Sequence, residues 1–249
     1  MFRCLVLALS YWMAPSPAAG PERPARDVLE RAARAYRAVP SLRDTLSYTV
    51  KAPGSREGWK KIEIHLGPGR DAAVADPVLE ATAVGDTLFV TRADVPDSYV
   101  SHPYIGDFAA ALDAIVGAEG SLFEPPEIAM RLGKDVDSCL DALRLKQLAP
   151  LRIVGYRRVS EDDGRRFDVI RLEAANGREE VRLDSETHFF SSLTLTFQPP
   201  GSPEGFLVEI SGKFSPKIVD RKSGAVTFDP GGRHAVPSVA DLSPKAPRR

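Results

Sequence analysis

Apolar and polar residues alternate with a period of two in segment after segment of this 249-residue chain. Leu46, Tyr48 and Val50 alternate with polar neighbours. Ile62, Ile64 and Leu66 are set against Lys61, Glu63 and His65. Such alternation makes a strand with one buried face, and a one-residue slip would turn every apolar side chain to water. Shorter candidates follow at 70–75, 78–84, 86–91 and 97–101. Longer ones lie at 151–161, 165–174, 177–184, 188–197 and 205–214. Phe189, Leu193, Leu195 and Phe197 mark one face of the fourth of these. Phe206, Val208, Ile210 and Phe214 mark one face of the fifth. Gly85-Asp86, Asp163-Gly164 and Asn176-Gly177 sit between strands, where hairpin turns call for positive φ. Short turns between successive strands predict an antiparallel meander, and alternation predicts that one sheet face is covered.

Helical spacing supplies the cover. Asp27 with Glu30 reads as a capping box, and Val28, Leu29, Ala32, Tyr36 and Val39 recur on one side up to Pro40. A helical insert over 107–148 separates six strands from five. Asp107 caps a run with Phe108, Leu112, Ile115 and Val116. Pro125-Pro126 opens a short helix that Gly133 closes. Asp135 or Asp137 starts a third, with Val136, Cys139, Leu140, Leu143 and Leu148 near one face. The fold class is therefore α+β, an antiparallel sheet of about eleven strands with helices on one face.

The first residues match a secretory signal peptide over 1–18. Arg3 gives the positive end, Cys4 to Met13 the apolar run, and Ser16-Pro17-Ala18 the small residues of a cleavage site. That run is too short to span a membrane, which needs roughly 20 apolar residues. Removal of Cys4 leaves Cys139 alone, so no internal disulfide is expected. The mature domain is expected over 27–229. Residues 230–249 are Pro-rich and basic toward the end, and are expected to lack structure. The formal charge of −1 gives no footprint for nucleic acid.

No catalytic or cofactor motif survives scrutiny. Gly67-Pro68-Gly69-Arg70-Asp71-Ala72 fits a dinucleotide fingerprint in letters, but Pro77 follows too soon for the required helix. His65, His102, His188 and His234 have no His or Cys at ligand spacing, and no serine lies in a G-x-S-x-G elbow. His65 and His188 read as solvated residues on polar strand faces. Cys139 reads as a buried structural thiol. Asp162-Asp163 is turn chemistry, and Glu179-Glu180 points to opposite faces of a strand, so neither pair can flank one bond. Arg157-Arg158 and Arg165-Arg166 share their hairpin with acids and read as surface charge. Cofactors and metals are not expected.

The order of elements carries more. "AARAYRAVPSLRDTLSYTV" at 32–50, "VGDTLFV" at 84–90 and "LDSETHFFSSLTLTF" at 183–197 resemble the LolA-like lipoprotein-carrier superfamily, in an exported bacterial branch of unknown function sometimes fused to thioredoxin-like domains. The resemblance covers about 27–229. It implies a curved, incomplete barrel whose concave side is apolar and lidded by helices, in a non-enzymatic periplasmic protein. The implied ligand is a lipid, an acylated protein or another apolar molecule, and a protein partner in the cell envelope is possible. The arginine that gates the cavity of well-known carriers has no identifiable counterpart here. If the sheet curls in that way, Ile62, Ile64, Leu88, Val90, Leu193, Leu195, Phe197, Val208 and Ile210 converge as the ligand-binding wall. The rival is a structural or protein-interaction module with a filled core, accessory to a separate redox protein; an unrecognised hydrolase is the third reading. The signal pattern predicts that the protein recovered from its native cell begins near Ala19. An intact Met1 on a soluble cytoplasmic pool would refute export.

Overall fold

The structure, a computed structural model, describes residues 20–55, 57–116, 125–133, 135–143 and 148–242. The expected signal peptide and Cys4 lie outside them. Helix α1 (Glu22–Ala38) comes first, followed by strands β1 (Ser41–Lys51), β2 (Gly58–Leu66), β3 (Ala72–Ala75), β4 (Leu79–Val84), β5 (Thr87–Arg92) and β6 (Val95–Pro103). Three short helices follow: α2 (Phe108–Val116), α3 (Pro126–Leu132) and α4 (Val136–Leu143). Strands then resume as β7 (Arg152–Ser160), β8 (Arg166–Ala174), β9 (Gly177–Asp184), β10 (Phe190–Phe197) and β11 (Val208–Lys213). Two short strands, β12 (Lys217–Val219) and β13 (His234–Ala235), and a 3₁₀ turn at Val239–Leu242 close the described chain.

All thirteen strands form one sheet in the order β13-β6-β5-β4-β3-β2-β1-β11-β10-β9-β8-β7, with β12 also on β1. The eleven predicted strands are the eleven longer ones. Two antiparallel meanders meet where β11 pairs with β1, Val50 opposite Ile210 and Ser47 opposite Lys213. The sheet is curled but open, because β7 and the β6–β13 edge do not pair. Register shifts at 153/155, 190/192 and 91/92 mark bulges, which bend strands and raise their twist.

Several local readings need correction. Helix α1 starts at Glu22, not Asp27, and Pro21 occupies its N-cap. Pro24 is tolerated because the first turn of a helix uses no N–H of its own. The turn between β8 and β9 is Ala175-Asn176, since Ala174 pairs with Gly177, and neither turn residue has positive φ. Asn176 instead ties loops together: its Oδ1 accepts from the Ala149 amide at 3.0 Å and its Nδ2 donates to the Gln198 carbonyl at 3.2 Å. Glycine is needed at 177 for space, since a Cβ there would lie 2.7 Å from that of Phe197. Gly85 and Gly164 do take positive φ, 59° and 83°. The region from 230 is not structureless throughout. His234–Ala235 pairs in parallel with Ser98–Tyr99 on the exposed edge of β6, and Phe228 stacks on Phe89 with ring centroids 4.1 Å apart. An unpaired edge strand offers backbone partners that any nearby extended segment can take.

The core joins both meanders to the helices. Ala25, Val28, Leu29, Ala32, Ala33 and Tyr36 form the buried stripe of α1. Tyr36 packs on Phe189 and Phe190 at 4.8 and 5.9 Å, and its hydroxyl accepts from the Phe190 amide at 3.1 Å. Helices α3 and α4 rest on α1, whereas α2 rests on β5 and β6. Asp107 caps α2 through the Ala110 amide at 2.9 Å, and Asp135 caps α4 through the Ser138 amide at 2.9 Å. Pro126 opens α3 and Gly133 ends it, as the sequence predicts.

Arginine links α3 and α4 to α1. Arg131 in α3 donates through Nη1 to the carbonyls of Tyr36 (2.6 Å) and Val39 (2.7 Å). Its Nη2 donates to those of Gly67 (2.9 Å) and Pro40 (3.3 Å). Arg37 donates to the Gly133 carbonyl at 2.7 Å, and Arg26 pairs with Asp137 at 2.9 Å. A guanidinium at the end of α1 satisfies carbonyls that the helix leaves open and opposes the negative end of its dipole. Arg131→Met should therefore lower unfolding free energy by roughly 2–4 kcal/mol, because four carbonyls lose a charged donor. Urea titration against wild type and Arg131→Lys checks this. Lysine, a single point donor, should recover only part of the loss.

Candidate functional site

A cavity of about 1090 Å³ lies between the inner face of the sheet and α2, α3 and α4. Its floor is alternate residues of β1, β2, β10 and β11. Its roof is Phe108 and Leu112 of α2, Ile128 and Leu132 of α3, and Ala142 and Leu143 of α4. Six of the nine residues expected on the wall border it: Ile62, Leu193, Leu195, Phe197, Val208 and Ile210. Ile64, Leu88 and Val90 do not. They are fully buried in closed core, Ile64 between Asp44 and Val74 in register, and Leu88 and Val90 on β5, where α2 packs down. One end of the wall forms a separate apolar cluster of Leu148, Leu195, Phe197 and Val208.

The wall holds one acid that sequence reading weighed only as a pair with its neighbour. Glu179 is 3% exposed, lies directly opposite Leu195 on β10 and Leu172 on β8, and borders the cavity. Its Oε2 is buried without a hydrogen-bond partner among the described residues. Burial alone pushes its carboxyl up to about 8. Period two carries the signal: Glu179 shares its face with Val181 and Leu183, both wholly buried. The neighbouring Glu180 faces outward and pairs with Arg157 and Arg171.

A second buried acid is differently placed. Glu127 of α3 is fully buried next to Asp44 of β1, and both its oxygens, like Asp44 Oδ2, are buried without a hydrogen-bond donor among the described residues. Burial, then the Asp44 charge, pushes the Glu127 carboxyl well above the carboxylate range. Asp44 Oδ1 is fixed by the amides of Thr45 and Ser215, each at 2.6 Å.

The rim is acidic. Among the described residues, Asp76, Asp107, Asp113 and Asp141 border the cavity, against the single ammonium of Lys60. Ile105, 86% exposed, also stands there. No group of three or more metal-ligating side chains occurs among the described residues. The remaining candidates hold no site. Residues 67–71 form the turn from β2 to β3 and Ala72 starts β3, with the Gly67 amide donating to the Asp71 carbonyl at 2.8 Å. His65 is half-buried, not solvated, with Nε2 3.1 Å from the Gly224 carbonyl; burial, then the nearby Arg43 charge, lowers its pKa. His188 sits in a turn at φ 63°, so β10 begins two residues later than expected. Cys139 is fully buried with Sγ 3.2 Å from Met130 Sδ.

No family model and no curated protein matches this chain. Solved structures with a partial likeness include a LolA superfamily protein, NE2245, from Nitrosomonas europaea. It is 10% identical, with 79% of this chain and 94% of that one covered and a TM-score of 0.35. Another is MucB in complex with MucA(peri), at 17% identity, coverage of 81% and 59%, and a TM-score of 0.34. LprF from Mycobacterium bovis is 11% identical, with coverage of 87% and 100% and a TM-score of 0.31. No family is assigned from likenesses at this level.

The Glu179 carboxyl makes stability depend on pH in a defined direction. Its folded pKa, about 8, lies above the ordinary 4.5. The stability from the neutral acid is fully present below 4.5 and is lost as pH rises through 8. Glu179→Gln carries no such proton. Relative to wild type, it should gain stability between pH 5 and pH 9, by about 4 kcal/mol at 1.36 kcal/mol per pKa unit. Urea titrations of both proteins at the two pH values read the difference. A constant difference would mean that Glu179 titrates normally.

Proposed function

We propose that this chain is a non-enzymatic, extracytoplasmic binding or carrier protein for an apolar ligand, such as a lipid or an acyl chain on a protein. The cavity carries this reading. Close-packed interiors leave few voids larger than a water molecule, and ligand pockets occupy about 300–1,000 Å³. A space of about 1090 Å³ under a roof of short helices is of ligand size, not a packing defect. Its floor is mostly leucine, isoleucine, valine and phenylalanine, with Tyr48 among them and Lys60 at one end. Each buried CH₂ yields about 0.8 kcal/mol, so an alkyl chain needs little beyond an apolar wall. The cavity's described lining has no histidine or cysteine, and its serine, Ser138, donates to Asp135 at 2.9 Å. That lining suits holding a molecule more than transforming one.

Placement outside the cytoplasm is supported by the leader pattern over 1–18. Among the described residues, no helix is long and apolar enough to cross a membrane. The mature domain would span 27–229, with the 230–242 segment laid against its β6 edge.

Binding is testable without knowing the ligand. Organic extraction of the purified mature protein should release a copurifying lipid detectable by mass spectrometry. The extracted protein should bind the neutral dye Nile red at low micromolar concentration. Ile210→Trp fills the cavity from a half-buried wall position and should weaken dye binding at least tenfold with unchanged circular dichroism. No copurifying lipid, and no dye binding at high micromolar concentration, would favour the filled-core interaction module instead.

A further inference from the structure

We infer that the cavity takes an amphiphile whose polar end is a protonated amine, and that Glu179 is the residue that pairs with it. This rests on the carrier reading above and narrows its ligand class.

Position comes first. Glu179 occupies a register place that an aliphatic residue would fill: Leu172 and Leu195 flank it across the strands, and Val181 follows it on the same face. A carboxyl there costs the fold free energy unless something hydrogen-bonds it. Nothing in the described protein does. Its Oε2 is buried and unpartnered, and no cation contributes to its shifted acidity. The other buried acid, Glu127, differs in lying against a second carboxyl group, that of Asp44, and away from the cavity lining. The residue is thus a buried, unpaired hydrogen-bonding group set in the wall of a ligand-sized space.

Charge selects among the polar ends that could meet it. The charged groups on the same cavity are Lys60 of β2, Asp76 of the β3–β4 turn, Asp107 at the start of α2, Asp113 of α2 and Asp141 of α4. The carboxylates of Asp76, Asp107 and Asp141 outnumber the one ammonium and make the described rim negative. A rim of one sign raises the local concentration of the opposite charge and repels its own. An alkyl carboxylate would meet the rim and then a second carboxyl at the wall. An alkylammonium meets attraction at both. The proton balance is simple. An amine of ordinary basicity arrives as R–NH₃⁺. Glu179 gives its proton to solvent, and the pair forms as carboxylate and ammonium, so one proton is released per ligand when the pH is well below 8.

The test uses the mature chain after lipid extraction and three probes with the same twelve-carbon tail: dodecylamine, dodecanol and dodecanoate. All are titrated calorimetrically below their aggregation concentrations. At pH 8.5 the amine should bind at least tenfold more tightly than either of the others. Its affinity should fall as pH is lowered to 6. Titrations at pH 7 in buffers of different ionisation enthalpy should show release of close to one proton for the amine and none for the alcohol. Glu179→Gln, which keeps the shape of the neutral acid, should reduce the amine to the affinity of the alcohol and abolish proton release. Equal binding of all three probes, or an amine preference that survives Glu179→Gln, overturns the amine assignment and leaves the carrier reading standing. Failure of every probe to bind removes both.

Discussion

A single-layer sheet that curls has to have its concave face covered, and here the cover among the described residues is four helices, none longer than 17 residues. Most of the structure follows from that mismatch. Helix α1 fills one part with Tyr36 and its aliphatic stripe, and α2 closes the part over β5. Over β10, β11 and the ends of β1 and β2, the helices bridge without filling. The core consequently divides into a large cluster and a small one, with Leu193 in the first and Leu195, Phe197 and Val208 in the second. The cavity is what a broad curved sheet leaves under short helices.

Short helices are poor at holding themselves in place. Isolated helices below about 12–15 residues are marginal in water, so α2, α3 and α4 depend on tertiary contacts. For α3 and α4 those contacts are polar as much as apolar. Arg131 gathers four carbonyls around the end of α1, and Glu127 meets Asp44 on β1. Polar contacts are directional, so they fix where α3 lies without requiring that the space beneath it be filled. An apolar roof would gain by collapsing onto the floor; a roof hung from hydrogen bonds does not have to.

Much of this was legible in the sequence, for a physical reason. Period two is imposed by the pleat itself, so Ile62–Leu66 and Leu193–Phe197 announced both their strands and their inward faces. The caps Asp107 and Asp135 and the Pro126–Gly133 bracket work through local backbone groups, and they fell where expected. What failed was long-range or context-dependent. Strands β12 and β13 are too short to show alternation, and β13 exists because β6 offers it an edge. Asn176-Gly177 has the letters of a tight turn, but the crowding of Gly177 against Phe197 and Leu148 decides its role. Ile64, Leu88 and Val90 share the inward face with the wall residues. Which inward residues border a space depends on where helices land, and periodicity does not encode that. Glu179 was weighed only as a pair with Glu180, though its parity with Val181 and Leu183 was in plain view.

The two buried acids separate what the fold needs from what it merely tolerates. Glu127 lies against Asp44, and Asp44 is held in turn by the Thr45 and Ser215 amides, so the acid pair connects α3, β1 and the segment after β11. Removing either partner would strand the other, which makes the pair part of the architecture. Glu179 joins nothing. A leucine in its place would continue the apolar face of β9 between Leu172 and Leu195, and replacing buried charge by matched apolar volume is commonly neutral or stabilising. The fold thus supplies no reason for a carboxyl at this position, and the space in front of it does: a group that enters the cavity is what the acid can bond.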